Sequence, residues 1–311
     1  MRIVFYANNK LAIPVFQYLV MNRWVAGLCL PEADFELKNQ FQQIAQWSQV
    51  PVLEVNAENI DKLSSGWLKL IQPSLGMVFT FPYKIPQSLI KSAEQGFFNV
   101  HFGKLPKYRG AEPLFWNMVN QEKEVCVTIH KMSQKFDSGP IAYEEPVAIG
   151  KNDSYGVLQK KLAQSSVMIV YKFLTNVQID KLNLVNQNAT TRSPLAKPSY
   201  ADVRINWEEQ TAKQIAVLLR AVNPWNKGAI TYCDGQMVRI LLGSETEIQE
   251  QNRRGAGSFF LGEALNKLYV ETIEGALFIE AIYLEDGFFN ASEFYHLSIQ
   301  KKFNTDIAET V

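Results

Sequence analysis

Asn99 and His101 stand two residues apart in Phe97-Phe98-Asn99-Val100-His101-Phe102, an apolar run that reads as a strand. Strand side chains alternate faces, so the amide and the imidazole emerge together while Phe98 and Val100 point the other way. A lone carboxylate, Asp137, sits in the turn Phe136-Asp137-Ser138-Gly139-Pro140, just after another apolar run. These residue types suit acyl transfer to an amine. A histidine near its natural pKa exchanges protons at neutral pH. A carboxylate beside it favours the imidazolium and fixes the ring. An asparagine amide can donate to a developing oxyanion, and losing one such donor typically costs about 2.7–4 kcal/mol of barrier. Such chemistry needs no covalent nucleophile. Taken alone, Asn99-x-His101 is equally compatible with a strand end whose polar groups are satisfied locally, and Asp137 with a turn aspartate bonded to its own backbone. Spacing alone does not bring Asp137 to His101.

The elements that must position these groups are legible in the first half. Strands are predicted at residues 2–6, 24–30, 52–55, 74–81 and 97–102, with helices at 11–21, 41–49, 60–71 and 86–93. This βαβ rhythm argues for an α/β, Rossmann-like domain with a mostly parallel sheet covered on both faces. Ligands of open α/β sheets bind at the carboxyl edge of the strands, where Asn99 and His101 emerge. The loop that follows, Gly103-Lys104-Leu105-Pro106-Lys107-Tyr108-Arg109-Gly110, is basic, bracketed by glycines and stiffened at Pro106, and is suited to hold an anionic or planar ligand. Beyond it come a helix at 113–120, strands near 125–132 and 141–149, and a helix from 154 to about 175.

From Asn186 to Asp202 the chain turns polar and aperiodic, with prolines at 194 and 198, and reads as a linker. A helix at 212–221 and short strands with turns at Asp234-Gly235 and Glu274-Gly275 follow. The expected division is a catalytic domain at 1–185, a linker at 186–204 and a small β-rich, barrel-like domain at 205–311.

Several function classes drop out. The 31 basic and 31 acidic side chains balance, so no polyanionic partner is forced. The three cysteines, Cys29, Cys126 and Cys233, are far apart in apolar stretches, show no zinc or disulfide spacing and read as buried thiols. No run reaches the ~18 apolar residues of a membrane helix, and the N-terminal apolar run is too short for a signal peptide, so the cytoplasm is expected. The first strand-to-helix turn, Ala7-Asn8-Asn9-Lys10, lacks the glycines that let a backbone approach a pyrophosphate, and no phosphate-loop motif occurs. No metal-ligand cluster is visible.

The segment from Asn99 through His101, Gly103, Leu105-Pro106 and Arg109-Gly110 to Pro113, followed by Val127-Thr128-Ile129-His130-Lys131-Met132 and Asp137-Ser138-Gly139-Pro140, resembles the signature of the folate-dependent formyltransferases. Ile205-Asn206-Trp207 and the segment from Arg220 through Asn223-Pro224-Trp225 to Ala229 resemble the C-terminal domain of the two-domain, methionyl-tRNA formyltransferase type, a domain that sugar-amine members can share. The resemblance implies a Rossmann-like catalytic domain plus an OB-like one, with 10-formyltetrahydrofolate as formyl donor and no metal. It implies Asn99, His101 and Asp137 as the catalytic trio. It implies folate contacts at Tyr83, Lys84 and Ile85, at Pro106, Lys107, Tyr108 and Arg109, and at Ser133, Gln134, Lys135 and Phe136. Phe79 and Phe81 suit either the pterin's surroundings or the core. His130 reads as structural, His296 as a surface residue and Trp225 as the anchor of a turn.

Two departures bear on the acceptor. The family's usual Ser-Leu-Leu-Pro after the histidine is Gly103-Lys104-Leu105-Pro106 here, so Lys104 adds a charge beside the site that bears on acceptor or folate-tail contacts. In tRNA-specific members a long basic loop follows the second strand. Residues 31–40 here are short and carry Glu32, Asp34 and Glu36 against Lys38, a segment that phosphates would repel. Arg253-Arg254 is a basic pair in the second half that reads as a solvated turn. The expected acceptor is therefore a small-molecule amine, such as an amino sugar on a nucleotide, with a charged initiator tRNA as the alternative.

Overall fold

The run Ile3–Ala7 is buried along its whole length, as a strand covered on both faces must be. The computed structural model, which describes residues 1–32, 35–188, 194–247, 254–262 and 267–307, places it in the first sheet. In chain order the elements are β1 (Ile3–Ala7), α1 (Ile13–Met21), β2 (Val25–Pro31), α2 (Phe35–Trp47), β3 (Val52–Val55), α3 (Ile60–Ile71), β4 (Leu75–Phe79), α4 (Gln87–Ile90) and β5 (Phe97–His101). Then come α5 (Pro113–Val119), β6 (Glu124–Lys131), β7 (Ile141–Ala148) and α6 (Tyr155–Gln178). The seven-stranded sheet has the order β3-β2-β1-β4-β5-β6-β7. β1 to β5 pair in parallel, whereas β6 pairs antiparallel with both β5 and β7. This is the mostly parallel α/β sheet that the sequence predicts.

Each face has its own core. On one, Phe5 lies 5.3 Å from both Phe16 of α1 and Phe79 of β4, and Phe16 lies 5.6 Å from Phe41 of α2. On the other, Val4, Tyr6, Val78 and Phe97 pack with Ile60, Leu68 and Ile71 of α3 and with Ile85 and Leu89. Phe79 is thus a core residue. α2 starts six residues before its predicted start, because Leu37, Phe41 and Ala45, four apart, make one buried helical stripe. Most of the segment read as an acidic loop is therefore helix. There Glu36 pairs with Lys10 at 3.5 Å and Lys38 with Glu54 at 3.0 Å, while Ala33 and Asp34 lie outside the described residues.

The chain forms two compact units. The first comprises Met1–Pro113, Glu124–Ala148 and Gln159–Ala196; the second comprises Leu114–Lys123, Ile149–Leu158 and Lys197–Val311. In the second lie α7 (Tyr200–Val203), α8 (Ala212–Val222), β8 (Ala229–Cys233), β9 (Gln236–Thr246), β10 (Phe259–Leu261), β11 (Leu268–Glu271), β12 (Ala276–Leu284), β13 (Gly287–Asn290) and α9 (Ala291–Leu297). Its strands form an antiparallel sheet of order β10-β11-β12-β9-β8, with β13 on β12. The tight turns fall at Asp234-Gly235 and Glu274-Gly275, as read from the sequence. Trp207 is buried, stacks on Phe303 at 5.7 Å and donates its indole N–H to Thr231 at 2.9 Å. Trp225 donates to the Ala221 carbonyl at 2.8 Å and closes the turn after α8. Arg253 lies outside the described residues; the Arg254 guanidinium sits over the Phe260 ring. All three cysteines are buried free thiols, and His296 is exposed. Among the described residues no helix is long and apolar enough to cross a membrane, and no His, Cys, Asp and Glu cluster could hold a metal.

Candidate active site

The strand end works as the pleat dictates. Asn99 lies directly opposite His130 across the β5–β6 ladder, and His101 opposite Thr128. Directly opposed residues share a face, so the four polar side chains share one side of the sheet. On the other side Phe98 packs on Phe173 of α6, ring centroids 4.8 Å apart. The polar face continues the apolar core through Phe97, and half-buried Phe81, Tyr83 and Met132 pack against that core.

Asp137 reaches this face from the loop between β6 and β7. Three nitrogens converge on its Oδ1: His130 Nε2 at 3.4 Å, Asn99 Nδ2 at 3.5 Å and His101 Nδ1 at 3.8 Å. Its Oδ2 accepts the Gly110 amide N–H at 2.9 Å. The loop that Gly110 closes is fastened to β6 by Thr128, whose hydroxyl donates to the Gly103 carbonyl at 2.9 Å. The imidazoles of His101 and His130 are 7% and 3% exposed against 12% for the Asp137 side chain, so the cluster meets solvent through Asp137 and half-buried Asn99.

Two backbone features make this geometry possible. Asp137 has φ +48, a left-handed conformation that aspartate tolerates better than most residues. Gly139 follows because a Cβ there would fall 1.7 Å from the Lys131 carbonyl oxygen. The loop is tied to itself through Ser133 and Ser138, 2.9 Å apart, both bonded to the Lys135 carbonyl.

Electrostatics assign the resting states. Burial pushes the His101 imidazole below its ordinary 6.5, against the opposing pull of Asp137. Burial also pushes the Asp137 carboxyl up, but His101, the His130 hydrogen bond and the Gly110 N–H together hold it well below the usual carboxylate range. At neutral pH the two shifts point the same way, toward an ionised Asp137 and an uncharged His101. His101 Nε2 lies 2.6 Å from the Tyr108 carbonyl oxygen, which can only accept. The network therefore assigns the ring proton to Nε2 and leaves the Nδ1 lone pair facing Asp137. Such a ring can take a proton at Nδ1, where the adjacent carboxylate stabilises the product cation.

The sequence-predicted residues divide. Asn99, His101 and Asp137 come together. His130, read as structural, joins them through its contacts with Asp137 and Asn99; the signal that finds it is the strand pairing, not its spacing. Of the residues expected at a folate, Tyr83 is half-buried and T-shaped to Phe81 at 5.6 Å, and Lys84, Lys107, Gln134, Lys135 and Phe136 are exposed. Pro106 and Ser133 are half-buried. Ile85 and Tyr108 are 4% and 2% exposed, so they can offer a ligand only backbone atoms. Arg109 Nε donates to the Asp137 carbonyl at 3.0 Å, and its Nη2 to Gln187 Oε1 at 2.6 Å, so two of its three guanidinium nitrogens are engaged by the loop and Gln187. Lys104 is exposed, and its charge is felt at Glu144 and Cys126.

Residues 33–174 match the family described as formyl transferase, and residues 197–295 match the formyl transferase C-terminal domain. The chain is 30% identical over 255 residues to a methionyl-tRNA formyltransferase of Pelotomaculum thermopropionicum, covering 77% of this chain and 78% of that one. Among solved structures it resembles HypX from Aquifex aeolicus in complex with tetrahydrofolic acid, at TM-score 0.66 and 17% identity, over 94% of this chain and 46% of that chain. It also resembles an N-formyltransferase from Helicobacter canadensis in complex with folinic acid and dTDP-3-aminofucose, at TM-score 0.64 and 18% identity, over 89% of this chain and 98% of that chain.

Proposed function

The chain belongs to the formyltransferase family, and from that premise we propose that it transfers the formyl group of 10-formyltetrahydrofolate to a small-molecule amine, such as an amino sugar carried on a nucleotide. The observation that carries the reading is the convergence of Asn99, His101 and His130 on one oxygen of an ionised Asp137. As the amine nitrogen bonds to the formyl carbon, the carbonyl becomes an oxyanion and the nitrogen gains positive charge. Asn99 donates an N–H to the oxyanion. His101 Nδ1 takes the proton from the attacking nitrogen and passes it to the leaving folate nitrogen as the old C–N bond breaks. Asp137 stabilises the imidazolium in between, and the products are a formamide and tetrahydrofolate. The donor's planar rings suit the wall of Phe81 and Tyr83, which packs against the same core as Phe97.

Charge supports a small acceptor. In the second unit a groove of about 860 Å³ is lined by Glu122, Asp153, Glu245, Glu247 and Glu274 against Lys151, Lys213 and Arg220. Five acids to three bases give no electrostatic footprint for a nucleic acid. Near the first unit's β2, Lys38 is held by Glu54 rather than free for phosphate. The second reading, a methionyl-tRNA formyltransferase, is favoured by the name of the Pelotomaculum relative and by a match that spans most of both chains. Incubation with 10-formyltetrahydrofolate and either charged initiator tRNA or a panel of amino-sugar nucleotides separates them. Tetrahydrofolate release with an amino sugar alone is the expected result; formylation of tRNA at an ordinary catalytic rate overturns the small-amine reading.

A further inference from the structure

The polar stretch after α6, which the sequence marks as a linker, is pinned beside the carboxylate at both ends. Val185 exchanges two main-chain hydrogen bonds with Ile141, each 2.8 Å. Two residues on, Gln187 Nε2 donates to the Asp137 carbonyl at 2.9 Å and the Gly139 carbonyl at 2.7 Å. Its Oε1 accepts from Arg109 Nε at 3.0 Å and Nη2 at 2.6 Å, and that same Nε also donates to the Asp137 carbonyl. At the far end, Leu195 donates to the Arg109 carbonyl at 2.7 Å and accepts from Ala111 N–H at 2.9 Å. Gly110, between those two bonds, supplies the amide on Asp137 Oδ2.

We propose that Gln187 is a positioning residue for Asp137: its amide locks the left-handed main chain of the Asp137 loop to Arg109, and so sets where the carboxylate stands against His101. A side chain can fill this role only if it donates and accepts at once. The two carbonyls of the loop need donors, and the Arg109 guanidinium needs an acceptor. Glutamine meets both demands from one planar group, and its two fixed hydrogen-bonding directions turn a loop position into a defined one. The carboxylate has no strand to hold it, so its placement depends on this clamp. As a catalytic contribution this rests on the formyl-transfer reading, but the positional claim does not.

The test uses the full chain and the variants Gln187→Ala and Gln187→Glu. The glutamate keeps the acceptor for Arg109 but removes both donors. The chain has only three histidines, so the His101 ring resonances can be followed by NMR through a pH titration. Asp137→Asn supplies the reference direction for losing the carboxylate. In both Gln187 variants we expect the His101 midpoint to move in that direction, and the Gly110 amide to exchange with solvent at least about tenfold faster, as local opening allows, while the Val100 amide in β5 keeps its wild-type rate. With an amine that the wild type formylates, kcat should fall on the order of 10–100-fold with KM for the folate little changed, as misplacement of about 1 Å can do. Wild-type Gly110 exchange and a wild-type His101 midpoint in a folded Gln187→Ala overturn the proposal. Full rescue by Gln187→Glu also overturns it, because pairing with Arg109 would then suffice. Should the alanine variant fail to fold, the glutamate variant decides by the same readouts. Absence of any formyl transfer by the wild type would remove the catalytic reading and leave the NMR result standing.

Discussion

Asn99 and His101 are held by a strand, whereas Asp137 is held by a loop, and the two regions secure their side chains by different physics. On β5 the pleat sends both polar groups to one face, the ladder to β6 sets their depth, and Phe98 on Phe173 anchors the strand from behind. In the 132–140 loop no pleat operates. The main chain of Asp137 adopts a conformation few residues accept, and it stays there because hydrogen bonds from Arg109, Gln187 and Gly110 surround it. The strand therefore fixes its residues through the general stability of the sheet, and the loop fixes its residue through a few directed bonds. Damage to the strand should cost folding, and damage to the loop should cost function first.

The largest expected effect lies at the centre, where the two regions meet. His101→Ala and Asp137→Asn should each lower turnover by about 10²–10⁴-fold, the span of general acid–base contributions, far more than any accompanying loss of melting temperature accounts for. A near wild-type rate in either variant would remove that residue from the mechanism. Next is the strand alone. Phe98→Ala empties a fully buried ring site and should destabilise by about 3–5 kcal/mol, read by denaturant unfolding, while the folded fraction keeps its kcat. A kcat that falls as steeply as in His101→Ala would erase the contrast.

The loop should answer differently. Gly110→Ala places a Cβ 2.3 Å from the Leu195 carbonyl oxygen at φ +104, where alanine is strained. We expect a stability loss of roughly 1–3 kcal/mol from backbone strain, with a loss of kcat larger than that stability change explains. A loss of stability alone, with kcat intact, would mean that the Gly110 amide does not matter to Asp137.

The smallest effects come with pH. Because burial lowers His101 below 6.5, kcat/KM should stay flat as pH drops through 6.5 and decline only below it, at the folded-state value. Stability carries the same sign. The unfolded chain takes up the His101 proton at 6.5 before the folded one does, so folding free energy declines as pH falls through 6.5 and levels off below the folded value. Asp137, depressed in the folded state, contributes stability that is present above 3.8 and lost as pH falls through its lower folded value. A plateau in kcat/KM that ended above 6.5 would place a charged imidazole in the resting site.

Much of this was legible in the residues. Five parallel strands, the helices between them and the shared face of Asn99 and His101 follow from alternation and periodicity, which are local properties. The early start of α2 was missed because Glu36, Lys38, Asn39 and Gln40 hide a buried stripe of Leu37, Phe41 and Ala45 within a polar stretch. The place of His130 beside Asp137 does not follow from alternation, because its partner is chosen by strand register, and register depends on which strands become neighbours. Gln187 was missed because a polar segment tied down by side-chain hydrogen bonds has the composition of a free linker.

The sequence by itself determined which residues could do the chemistry and on which strand face two of them stand, since a pleat needs only neighbours along the chain. Only the tertiary structure decided that the Asp137 carboxylate turns toward His101, that a second imidazole joins it, and that Arg109 donates to the Asp137 carbonyl. Asn99 meets the Asp137 carboxylate across 38 positions and Arg109 meets the Asp137 carbonyl across 28, and no local rule selects among the pairings so long a chain could make.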